Sequence, residues 1–270
     1  MKHIVCFSGG HSSAVVAIAV AKRYGSENTI LLNHDISSFV EDEDIKRFKN
    51  EVAAYLNIDI TYANMADWEN KDQFDVSIEA KAFKTKDTPA ICTNRLKTAP
   101  FMEFMQDIKK NSCIVYYGFD KSENVRIERR SMIMSEFGYK TEYPLASWES
   151  LPVNSTIDIG IVPPLKYTCF KHANCTGCLK GGMQHWYVVY CNRPDVWEKG
   201  KEAEAIIGYS IIKGFFLKDL ECKFERMFRL GIEATEHIPF QKFWADANKV
   251  LKIPTLVNQE EFYKPCSCAS

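Results

Sequence analysis

The hydrophobic pattern near the N-terminus predicts strands separated by helices. Ile4-Val5-Cys6-Phe7 and Thr29-Ile30-Leu31-Leu32-Asn33 are short apolar runs of the kind that form buried strands, and Ile58-Asp59-Ile60-Thr61-Tyr62 reads as a third. Between the first two lies Ala14-Val15-Val16-Ala17-Ile18-Ala19-Val20, a helix that opens after a glycine pair, and residues 41–56 carry apolar positions at helical spacing. Ile114-Val115-Tyr116-Tyr117-Gly118 resumes as a core strand, followed by a helix over about 123–137 and another strand over 139–145. Such alternation predicts an α/β fold built on a doubly wound, mostly parallel sheet. Residues 63–90 are more polar and irregular and read as a mobile or substrate-covering segment. Beyond about residue 152 the alternation gives way to proline and cysteine punctuation. The C-terminal part then reads as helices anchored by Trp186, Trp197, Phe215, Phe216 and Trp244. The expected organisation is an α/β domain over 1–150 and a cysteine-rich, mainly helical region over 151–270 packed on it.

Composition narrows the class without identifying it. At 270 residues, 46% hydrophobic and 26% charged, with a formal charge of -1, the chain has the make-up of a globular protein. No overall basicity points to nucleic acid, and the near-neutral balance neither requires nor excludes it. There is no apolar run of roughly eighteen residues or more and no secretory signal pattern, so neither a membrane partner nor secretion is expected. Ten cysteines in such a chain predict a reducing, cytoplasmic setting, where clustered thiols bind metal or do chemistry.

Ser8-Gly9-Gly10-His11-Ser12-Ser13 is the most informative stretch. A strand runs into two glycines and a helix opens at once, so N–H groups without intrahelical partners and the positive end of the helix dipole meet serine hydroxyls. An anion such as phosphate suits that arrangement, and a serine-capped helix after a tight turn is the plainer alternative. It is not a Walker A loop, for no Gly-Lys-Ser/Thr follows. Asn33, His34 and Asp35 fall at the carboxyl end of the second strand, either as ligand contacts or as caps of the next turn. Gly118 ends a core strand, and Glu123, Arg126 and Arg130 then share one helix face, with Arg129 beside them; a guanidinium there could grip phosphate with two parallel bonds, and a solvated face is the plainer reading. Arg95 and Lys97 follow Cys92. Cys175 and Cys178 form a Cys-x2-Cys pair that Cys169, His172 or Cys92 could complete as a metal site.

Four ordered motifs resemble the PP-loop adenine-nucleotide alpha-hydrolase superfamily, in its phosphoadenosine phosphosulfate reductase-like branch. This branch also includes the sulfur-activating component of DNA phosphorothioation systems. Residues 8–13 resemble its Ser-Gly-Gly-x-Asp/Thr-Ser loop, with His11 where many members carry Lys or Arg and Ser12 where many carry Asp. Cys92 to Pro100 is similar to a Cys-Cys-x-x-Arg-Lys-x-x-Pro segment, with Thr93 and Leu96 as departures. Gly118, Ser122, Glu123 and Arg126 resemble a Gly-x-Arg-x-x-Glu-Ser-x-x-Arg region.

The resemblance implies an ATP pyrophosphatase that releases AMP and pyrophosphate while activating a substrate by adenylation, for sulfur transfer or nucleic-acid modification. Ser8, Gly9, Gly10, His11, Ser12, Ser13, Asn33, His34, Asp35, Gly118, Glu123 and Arg129 would hold ATP or an adenylyl sulfate with Mg2+. Arg126 and Lys97 would stabilise the transferring charge. Cys92, Cys169, Cys175 and Cys178 would hold a [4Fe-4S] cluster, with zinc as the alternative. Cysteine desulfurase or thioredoxin-like donors are the implied partners, and the chain is compatible with a homodimer. A phosphosulfate reductase that attacks through Cys266 or Cys268 and releases sulfite is the rival enzyme. A catalytically silent nucleotide-binding module is the third reading.

Overall fold

The computed structural model describes residues 1–66, 68, 70–84 and 90–252. In chain order the elements are β1 (Lys2–Cys6), α1 (His11–Tyr24), β2 (Thr29–Asn33), α2 (Glu43–Leu56), β3 (Ile60–Tyr62), α3 (Gln73–Glu79), α4 (Ile91–Thr93) and α5 (Ala99–Gln106). There follow β4 (Cys113–Tyr116), α6 (Asn124–Glu136), β5 (Lys140–Glu142), α7 (Pro144–Ser147), α8 (Met183–Asn192), α9 (Pro194–Ile207), α10 (Leu217–Arg229) and α11 (Phe240–Lys252). The strands form one five-stranded sheet in the order β3-β2-β1-β4-β5, and every pairing is parallel. The chain winds outward from β1 to β3 and then returns to place β4 on the other side of β1. β1 and β4 therefore flank the point where the winding reverses.

Side-chain alternation divides the core into two layers. Val5, Phe7, Leu31 and Tyr116 face one way and pack with α1 and with Phe48, Val52 and Leu56 of α2. Ile4, Leu32 and Val115 face the other way and pack with Phe101 and Met105 of α5 and Met134 of α6. With both faces covered, the inner strands read as continuous apolar runs. Helix α1 is buried at every position from Ser13 to Ala21, which explains its lack of a polar stripe. The sheet thus confirms the expected doubly wound α/β fold.

Boundaries differ where local signals compete. β3 and β5 are shorter than the sequence suggests, and a 3-10 turn at Lys121–Glu123 precedes α6. The irregular stretch 63–90 contains α3, whose Phe74, Val76 and Ser77 are buried. The chain divides into two compact units. One comprises Met1–Asp72, Thr93–Tyr167 and His172–Asn174, and so extends past residue 150. The other comprises the described parts of Gln73–Cys92, Thr168–Lys171 and Cys175–Ser270. In the second unit an aromatic core gathers Trp186, Trp197, Tyr190 and Phe224. Among the described residues no helix is long and apolar enough to cross a membrane.

Candidate functional site

The glycine-rich loop leaves β1 at its carboxyl end and enters α1 directly. Gly9 adopts φ +78°, and a Cβ there would lie 2.8 Å from Ile45 Cγ2 and 3.0 Å from Lys49 Cδ, so conformation and space both demand glycine. Gly10 is extended and caps α1. Ser13 is buried and its hydroxyl donates to the Gly10 carbonyl at 2.8 Å, while Ser8 Oγ donates to Ser13 Oγ at 3.3 Å. Ser13 is thus occupied in shaping the loop, whereas Ser8 and Ser12 are exposed residues.

Gly118 closes the site from β4. A Cβ at Gly118 would come within 3.0 Å of Ser13 N and 3.1 Å of Ser12 C, so two backbones meet at the switch point with no room for a side chain. Gly118→Ala is expected to lower stability by about 1–3 kcal/mol, because backbone rather than a flexible side chain must yield. Thermal melting checks this; a wild-type melting temperature would show that the contact is loose.

A buried network supports the loop from beneath. Asn33 Nδ2 donates to the Phe7 carbonyl, and Asn33 Oδ1 accepts from Lys49 Nζ at 3.2 Å. Lys49 also pairs with Glu41 at 2.7 Å, and the side chains are 0% and 8% exposed. Asn33 is therefore a brace of the loop. Neither Lys49 nor Glu41 was expected from sequence; the available signal was a lysine on the same helix face as Ile45, Phe48 and Val52.

His34 and Asp35 are tied to the turn after β3. His34 Nδ1 donates to Ala63 O at 2.6 Å, Asp35 N donates to Asn64 Oδ1 at 2.9 Å, and Asn64 returns a bond to Asp35 O at 2.7 Å. Lys46 pairs with the Asp35 carboxylate at 3.0 Å. These contacts hold His34 and Asp35 against the turn that follows β3. Burial lowers the His34 pKa, and the positive charges of Lys97 and Lys49 add to that effect. Lys97 is thereby within electrostatic reach of the carboxyl end of β2, and it lies in a π-helical segment, Asn94–Thr98, between α4 and α5. Segments of that kind are uncommon and frequent at functional sites.

His11 does not act as a cation. Its Nε2 accepts from Thr156 N at 3.3 Å and lies 3.1 Å from Ser155 Oγ, which leaves the proton on Nδ1. Burial lowers its pKa, with Asp158 opposing weakly.

Glu123 accepts from Asp120 N at 3.2 Å and pairs with Arg126, so it caps the helix entry. Arg126 also stacks over Phe119 at 4.2 Å, and its side chain is 64% exposed. Arg130 lies over Tyr117 at 5.4 Å, while Arg129 is exposed.

The cysteine-rich segment belongs to the second unit, as does Cys92, whereas His172 belongs to the first. His185 ties its turns together: Nε2 accepts from Cys178 N at 3.0 Å and Nδ1 donates to Glu236 at 2.6 Å. Glu236 in turn accepts from Lys171 N at 3.0 Å, and its own N–H donates to Cys169 O at 2.8 Å. Among the described residues no three His, Cys, Asp or Glu side chains converge as a metal site. His185 and Glu236 order the turns that carry Cys169 and Cys178 through bonds to backbone groups. Cys266 and Cys268 lie outside the described residues.

The fold and the loop define a doubly wound α/β protein with a glycine-rich helix entry at the reversal of its parallel sheet. Compared with protein-family models, with curated proteins and with solved structures, the chain matches none.

Proposed function

We propose that this protein is a PP-loop ATP pyrophosphatase that cleaves ATP between the α and β phosphates and activates a substrate by adenylation. The reading rests chiefly on one observation: residues 8–13 form a glycine-rich entry to α1 at the sheet's reversal, pressed by Gly118 into close contact between two backbones. Ligands of open α/β sheets bind beyond the carboxyl ends of the strands at that point. The α1 N-terminus and the Ser8 and Ser12 hydroxyls would hold phosphate oxygens, with Lys97 and Arg126 stabilising the transferring charge. Mg2+ would bridge the phosphates and neutralise their charge. No step runs through a cluster or zinc ion at the cysteines. Adenylation would suit later replacement by sulfur or modification of a nucleic acid.

Incubation with α-labelled ATP and Mg2+ tests the reading. Labelled AMP with stoichiometric pyrophosphate is expected, with turnover reduced at least about tenfold in Ser8→Ala, as for loss of a preorganised donor. Release of sulfite from an adenylyl sulfate, and no AMP from ATP, would instead assign the reductase reaction. One observation favours the silent nucleotide-binding reading: His11 is held as an acceptor and supplies no charge to the loop. Tight ATP binding without turnover of either substrate would establish it.

A further inference from the structure

We propose that the Tyr167 hydroxyl occupies the phosphate cradle before nucleotide binds, so that displacing it sets the affinity of the site; this rests on the phosphate-loop reading above. Tyr167 OH accepts from His11 N at 3.0 Å. His11 is the first residue of α1, and its N–H is among those the helix itself leaves unsatisfied. That donor is the one a phosphate oxygen would take. The phenol also lies against Gly10, where a Cβ would stand 3.3 Å from the Tyr167 oxygen.

The hydroxyl is delivered by an anchored segment. Arg47 Nη2 donates to Val162 O at 3.1 Å, and Leu165 N donates to Asp44 Oδ2 at 2.6 Å, fastening residues 162–165 to α2 and its entry. Lys166 Nζ donates to Asn174 O at 2.6 Å and pairs with Asp42 at 3.3 Å, with its side chain 2% exposed. These tethers hold the segment through its backbone and the Lys166 side chain, and none of them is made by the phenol. The exchange is favourable in kind. A neutral phenol oxygen is a weaker acceptor than an ionised phosphate oxygen, whose hydrogen bonds are charge-assisted. The cradle therefore keeps its first N–H satisfied when empty of nucleotide, and part of the binding energy is spent on displacement.

Calorimetric titration of the full chain and of Tyr167→Phe with magnesium pyrophosphate, and separately with ATP, tests this. Removing one neutral competing hydrogen bond is expected to tighten binding about three- to tenfold. Binding by the variant that is equal to or weaker than wild type would overturn the displacement while leaving the phosphate-loop reading intact. No binding by either chain would overturn both. The wild type gives an independent readout by nuclear magnetic resonance: on saturation with pyrophosphate, the Tyr167 ring signals must shift together with the His11 amide. Saturation that leaves the Tyr167 ring unmoved overturns the proposal.

Discussion

Lys49→Met is expected to destabilise the protein by about 3–5 kcal/mol, the range for leaving one member of a buried ion pair uncompensated. The Glu41 carboxylate would lose its 2.7 Å partner at a site where both side chains are almost fully covered, and Asn33 Oδ1 would lose its donor. Methionine keeps most of the aliphatic stem that packs below Gly9, so the loss measures charge rather than volume. Denaturant unfolding of the single variants and of Lys49→Met with Glu41→Gln separates the terms. The double variant is expected to recover much of the loss, because no charge is then stranded. A single variant as stable as wild type would show that water reaches Glu41 and that the network does not brace the loop.

Glu204→Ala is the second large effect, about 2–6 kcal/mol, from two buried donors each worth about 1–3 kcal/mol when orphaned. Glu204 is 2% exposed on α9, and its carboxylate accepts from Ile211 N at 2.7 Å and Leu217 N at 2.6 Å. It thereby pins the middle of the connection from α9 to α10 and the first residue of α10. Burial raises its pKa, while the two N–H bonds oppose that shift by favouring the ionised form. Glu204→Gln should lose less than alanine, because the amide oxygen still satisfies one donor. Thermal melting ranks the three proteins, and equal values for alanine and wild type would mean that the connection finds other partners.

The readable parts of this chain were those whose physics is local. Strands β1, β2 and β4 show as apolar runs because both faces of the sheet are covered, and α1 shows by its glycines and serines. The phosphate-loop candidates also lay where expected, at the carboxyl end of β1. Division of labour within the loop was not readable. Ser13 donates to Gly10 and His11 accepts from Thr156, although every residue in the loop has the composition of a phosphate ligand. Nor did the Cys-x2-Cys spacing show that His185 and Glu236 order those turns through bonds to backbone groups.

By itself, the sequence determined the α/β alternation and the position of a glycine-rich helix entry, because burial period, glycine freedom and helix-end chemistry act over a few residues. Only the tertiary structure decided what meets that entry. Gly118 reaches it from the segment that follows another strand, Lys49 supports it from a second helix, and Tyr167 contacts His11 across 156 residues of chain. Such contacts depend on sheet order and on which atoms converge after packing, and no local pattern encodes them.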